Sequence, residues 1–114
     1  MDSRPIFVFG SNLAGRHEAG AALHALREYG AIAYEGSGRM GHSYAIPTKD
    51  RRLNPLPLPS IGFFVLGFIE YAEAHPELQF LVTRIGCGLA GYKDEDMAPM
   101  FADAPSNCQL PAGG

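Results

Sequence analysis

Cysteine is scarce in this chain of 114 residues: Cys87 and Cys108 are the only two, far apart and without CxxC or Cys/His metal spacing. A zinc site built on paired ligands is therefore not expected, and a reduced, cytoplasmic chain is. Charge is thin too. Nine Lys and Arg stand against twelve Asp and Glu, the formal net charge is −3, and no basic block occurs. Phosphate polymers are held mainly by Lys and Arg neutralising charge, so no nucleic-acid polymer is expected as a partner. A small anion remains open, because backbone N–H groups at a helix start can hold one without side-chain charge. Long hydrophobic runs are also missing. The most apolar stretch, residues 60–75, is too short to span a bilayer and contains Glu70 and Glu73. The N-terminal MDSRPIFVFG has too short an apolar run for a secretory leader. No membrane partner is expected.

Familiar chemical motifs are lacking as well. There is no G-K-[ST] and hence no P-loop. HEAGA at 17–21 has Ala21 where a zincin would carry its second histidine, so no metal and no resident cofactor are implied. GSGRMG at 36–41 matches G-x-G-x-x-G in letters. A dinucleotide fingerprint needs a helix directly after it, whereas HSYAIPT follows and alternates like a strand.

What is present suits one globular domain over residues 1–114: 46% of residues are hydrophobic and 18% charged. Ile6–Phe9 reads as a buried strand and residues 10–18 as a loop. Residues 19–29 read as a helix with Ala22, Leu23, Leu26 and Tyr29 on one face. AIAYEG (31–36) reads as a short strand, GSGRMG as a loop, and HSYAIPT (42–48) as a strand. The prolines of KDRRLNPLPLP (49–59) forbid an interior helix. Ser60 is a plausible N-cap, after which Ile61, Phe64, Val65, Phe68, Ile69 and Ala72 mark the strongest helical period, ended by Pro76. LQFLVTRIG (78–86) reads as a strand and CGLAGY as a loop. DEDMAPMFADA (94–104) reads as a helix capped by Asp94, and NCQLP (107–111) as a closing strand. Strands alternating with helices argue for an α/β sheet covered by helices.

Two loops stand out. GSNLAGRHEAGA (10–21) and GCGLAGYKD (86–94) each follow an expected strand and precede an expected helix. In open α/β sheets ligands bind beyond the carboxyl ends of the strands, so the two loops are expected to wall one cleft. Glycines there let backbone approach a ligand, and the helix starts behind them favour negative charge. Gly10, Ser11, Asn12 and His17 in the first loop are candidates on these grounds. Cys87, between two glycines, has no neighbouring activator and reads better as a small buried thiol. PTKD sets Lys49 and Asp50 at a strand end, where amine and carboxylate would face a ligand or, equally, water.

The residues VFGSN, GAAL and RIGCGLAGYKDEDMAPMF resemble the macrodomain family, which binds ADP-ribose. IGCGL is similar to the branch of terminal ADP-ribose–protein glycohydrolases. FGSNLAGRH, SYAIPTKD and NCQLP resemble small bacteriophage and bacterial macrodomain-like proteins. The resemblance implies a compact three-layer α/β/α fold with a mixed central sheet. It implies Asn12 at the distal ribose, with Gly15, Gly20 and Ala21 on the phosphate and ribose wall. Gly86, Cys87, Gly88, Leu89, Ala90 and Gly91 would form the diphosphate loop, and Tyr92 would close over the ribose. Lys49 is similar to that branch's nucleophilic lysine, and Asp50 could instead activate water. Ala90 stands where the branch has an aspartate. The expectation is a small-molecule nucleotide ligand of the ADP-ribose class, with weak hydrolysis at most. The alternative is a non-catalytic, phage-type interaction protein that engages a host protein or sequesters a nucleotide signal.

Overall fold

The computed structural model describes residues 4–88 and 90–111. Among these residues five strands form one mixed sheet in the order β2-β3-β1-β4-β5, where β1 is Ile6–Asn12, β2 Gly38–Met40, β3 Ser43–Lys49, β4 Phe80–Val82 and β5 Cys108–Gln109. β3, β1, β4 and β5 run parallel, and only β2 is antiparallel. The helices are α1 (Gly20–Glu28), α2 (Leu58–Ala74) and α3 (Asp94–Met97), the last running into a 3-10 turn over Ala98–Phe101.

β1 is the organising strand. Its apolar run is buried throughout, and alternate residues enter two separate clusters. Ile6 and Val8 join Ile46, Phe80 and the α2 residues Ile61, Val65, Phe68, Ile69 and Ala72. Phe7 and Phe9 join Ala22 and Ala25 of α1 with Ala31, Met40 and Ala45. A strand has period two, so a continuous apolar run is what a strand buried on both sides requires. The α2 face matches the period read from the sequence, except that Phe64 is only half-buried. On α1 the buried positions are Ala22 and Ala25, while Leu23 and Leu26 are half-buried.

Several boundaries differ from expectation. α2 begins at Leu58, before Ser60, with Pro57 as its N-cap. Proline is tolerated in the first turn, where its missing N–H has no intrahelical partner to lose. The expected long final helix ends at Met97, because Pro99 cannot donate to the carbonyl four residues back. β1 extends to Asn12 through an irregularity at Ser11/Asn12. β4 keeps three of the nine expected residues. AIAYEG is not a strand, whereas GSGRMG holds β2, paired to β3 across the two-residue turn Gly41–His42. That hairpin accounts for Gly38 and Gly41 of the G-x-G-x-x-G match, whereas Gly36 packs on the backbone of Asn12 and Gly15. Among the described residues no helix is long and apolar enough to cross a membrane.

Candidate functional site

Three parallel strands, β3, β1 and β4, end at the same edge of the sheet, and the chain leaves each end into a turn. Hydroxyls finish the strand ends: Thr48 Oγ1 donates to Ser11 O at 3.2 Å, and Thr83 Oγ1 donates to Val8 O at 2.8 Å. Gly10 and Gly86 lie side by side; a Cβ on Gly10 would stand 3.6 Å from Gly86 N. The two glycine turns therefore meet. Above them opens a cleft of about 510 Å³, walled by Gly10, Ser11 and Asn12, by Arg16 and Glu18–Ala22, by Thr48, Lys49 and Leu53, and by Thr83, Arg84, Gly86, Cys87, Gly88 and Ala90.

Of the candidates, Gly10, Ser11, Asn12, Gly20, Ala21, Lys49, Gly86, Cys87, Gly88 and Ala90 line this cleft. Leu89 lies outside the described residues. The others are elsewhere. Gly15 packs on the backbone of Tyr34 and Glu35, and Tyr34 N donates to Gly15 O at 2.8 Å, so this glycine is a packing residue. His17 is 2% exposed, donates from Nε2 to Glu35 O at 2.8 Å and stands edge-on to Phe9, so it pins the loop from beneath. Asp50 turns away: its Oδ1 accepts from Arg52 N at 2.9 Å and Asn54 N at 3.0 Å, which closes the turn after β3. Tyr92 donates its hydroxyl to Leu56 O and with Lys93 walls a separate shallow pocket. Gly91 lines neither.

Asn12 is in the cleft wall, but its amide is engaged. Oδ1 accepts from Arg16 N and Nδ2 donates to Arg16 O, both at 3.0 Å, so the side chain clamps the first loop. These two bonds shape the wall and leave the amide a second N–H and a second oxygen lone pair. Sequence reasoning missed Thr83, Arg84 and Leu53. Arg84 and Thr83 sit at the end of the expected strand 78–86, one step before the loop, where a residue beyond a strand's last ladder bond turns toward the crevice.

Electrostatics concentrate at the second turn. Arg84 grips Asp94 with two bonds, Nε–Oδ1 at 3.1 Å and Nη2–Oδ2 at 2.8 Å. Cys87 Sγ donates to the same carboxylate, 3.3 Å from Oδ1. The Arg84 bond, then the Cys87 bond, holds Asp94 below its ordinary 3.8. Its contribution to folding is thus present above that value and fades as pH falls through the lower folded-state value. Cys87 is pushed up by burial first and by its hydrogen bond to Asp94 second, with Arg84 pulling the other way. Burial and the bond to Asp94 both disfavour the thiolate. Two variants should move it oppositely: Asp94→Asn speeds alkylation of Cys87 by iodoacetamide at pH 8 several-fold, and Arg84→Gln slows it. Cys108, pushed up to about 11 by burial, serves as the slow internal reference. Equal Cys87 rates in both variants would contradict the assignment.

Among the described residues no cluster of three His, Cys, Asp or Glu is arranged to hold a metal ion. A further, largely apolar cavity of about 220 Å³ adjoins the cleft; it shares Thr83, Arg84 and Cys87 with it and is also lined by Met97, Phe101 and Leu110. Compared with protein-family models, curated proteins and solved structures, the chain matches none.

Proposed function

We propose that the cleft binds a small nucleotide-type molecule of the ADP-ribose class, with its diphosphate between the two glycine turns. The observation that carries this reading is the convergence of both turns and the start of α1 on one crevice at the ends of three parallel strands. Its volume falls within the range of roughly 300–1,000 Å³ usual for small-molecule sites. The first-turn N–H groups of Gly20, Ala21 and Ala22 have no acceptor inside the helix, since the first helical bond runs from Leu23 N to Ala19 O. Orphan donors of this kind suit an anion. Lys49 adds a cation at the rim, where Arg16 is paired with Glu18 at 3.2 Å and Arg84 with Asp94 at 2.8 Å. The adjoining cavity offers a base an apolar lining beside the phosphates.

Binding is the primary activity in this reading. Lys49 is the nucleophile available to a sugar carbon, and with Asp50 held in its own turn and Ala90 at the loop, hydrolysis of an ADP-ribosyl bond is slow. Cys87 and Cys108 are both free thiols, in keeping with a reducing, cytoplasmic setting. Thermal denaturation with ADP-ribose tests the proposal: at about 100 times its Kd a ligand adds roughly 2.7 kcal/mol to stability. Turnover of ADP-ribosylated protein, if any, should vanish in Lys49→Ala while binding persists. An unchanged melting curve with ADP-ribose, ADP and NAD would favour the interaction-protein reading instead. Phe63 and Leu66, 73% and 55% exposed on α2, are apolar surface that a protein partner would cover.

A further inference from the structure

Leu53 has an unusual place. It lies in a polar turn between Arg52 and Asn54, and its backbone sits at φ +67, in the left-handed region that branched side chains avoid. Only Tyr34 shares this feature among the described non-glycine residues. For Tyr34 the packing of its backbone against Gly15 gives the reason, and the residue stays 82% exposed. At Leu53 the closure of its own turn imposes the shape. The residue, 38% exposed, lines the cleft with Lys49.

The turn that holds it is tightly built. Leu53 N donates to Asp50 O at 3.0 Å, Asp50 N to Asn54 O at 2.8 Å, and Asp50 Oδ1 receives Arg52 N and Asn54 N. Lys49 and Pro55 form a bridge across its base. An Asn or Gly would meet the same backbone shape without strain. Such a position carries leucine at a cost, and what the leucine adds is an apolar surface at the cleft rim. The opposite end of the cleft opens into the apolar cavity near Met97 and Phe101. A ligand with a base in that cavity and phosphates at the glycine turns extends its remaining ring toward Lys49 and Leu53.

We propose that Leu53 is a specificity-determining residue that packs on the terminal sugar ring, and that Asp50 is a positioning residue that presents it. This rests on the nucleotide reading above and adds to it a way of telling ADP-ribose from ADP. Calorimetric titration of the full chain tests it. Leu53→Asn should raise the urea midpoint, because the strain is relieved, and weaken ADP-ribose about tenfold, while ADP, which lacks the terminal sugar, stays within about twofold. Leu53→Met, still apolar, should keep ADP-ribose affinity within about twofold. Asp50→Ala should reproduce the selective loss, and Asp50→Asn, which keeps the accepting oxygen, should restore it. Unchanged ADP-ribose affinity in Leu53→Asn, or an equal loss for ADP, would overturn the inference and leave the nucleotide reading standing. Failure of the wild-type chain to bind either compound would remove both.

Discussion

Gly36→Ala is expected to lower the unfolding free energy by about 3 kcal/mol, among the larger effects open to a single methyl group. A Cβ on Gly36 would stand 2.0 Å from Asn12 O and 3.3 Å from Gly15 N, in contact with backbone that no rotamer change can move. The reciprocal position is as tight: a Cβ on Gly15 would stand 2.2 Å from the Tyr34 carbonyl carbon. Here two chain segments, 12–15 and 34–36, cross with their backbones touching. The crossing is tied by Tyr34 N to Gly15 O and by His17 to Glu35 O. The segment 34–36 is thus a brace for the first wall of the cleft. Thermal unfolding should show a fall of about 15 °C for a domain of this size. A shift of a degree or two would mean that the brace is soft and the wall not fixed by it.

Gly88→Asp should leave the fold intact and abolish anion binding. A Cβ at Gly88 meets nothing within 4 Å, and its backbone is not in the left-handed region, so a side chain is accommodated without displacement. That open space belongs to the cleft. A carboxylate there faces the phosphates, and like charges set together cost several kcal/mol. At 1.4 kcal/mol per tenfold, affinity should fall at least about 100-fold. Gly88→Ala separates charge from bulk and should lose no more than about tenfold. Melting temperatures of both variants should stay within a few degrees of the wild type. A Gly88→Asp chain that binds ADP-ribose as the wild type does would move the phosphate away from the second turn.

The cleft was legible in the sequence at the level of loops. The apolar run Ile6–Phe9 and the small-residue turns after it and after residues 78–86 carry a local signal, because strand, turn and helix start are contiguous there. Side-chain assignments within the loops were less legible. Asn12, His17 and Asp50 are polar residues in loops, and composition alone cannot tell a group aimed at a ligand from one bonded to its own backbone. All three turn out to serve the backbone: Asn12 on Arg16, His17 on Glu35, Asp50 on Arg52 and Asn54. The glycines divide in the same way. Gly15 and Gly36 exist for close packing and Gly88 leaves space, yet all read alike as letters. Arg84, Thr83 and Leu53 were invisible because their place in the cleft depends on where three strands end together, which is a tertiary fact. β2 was hidden by its glycines, which suggest a loop but here flank a three-residue strand and its tight turn.

The most direct test is an amide-resolved NMR titration of the labelled chain with ADP-ribose. Saturable shifts should concentrate at Gly10–Asn12, Gly20–Ala22, Lys49, Leu53 and Gly86–Gly88, while Gly91 and the turn Gly41–His42 stay still. A spectrum that does not change, or one whose shifts map to the outer face of α2 around Phe63 and Leu66, would contradict the claim that the two glycine turns form one anion-binding crevice.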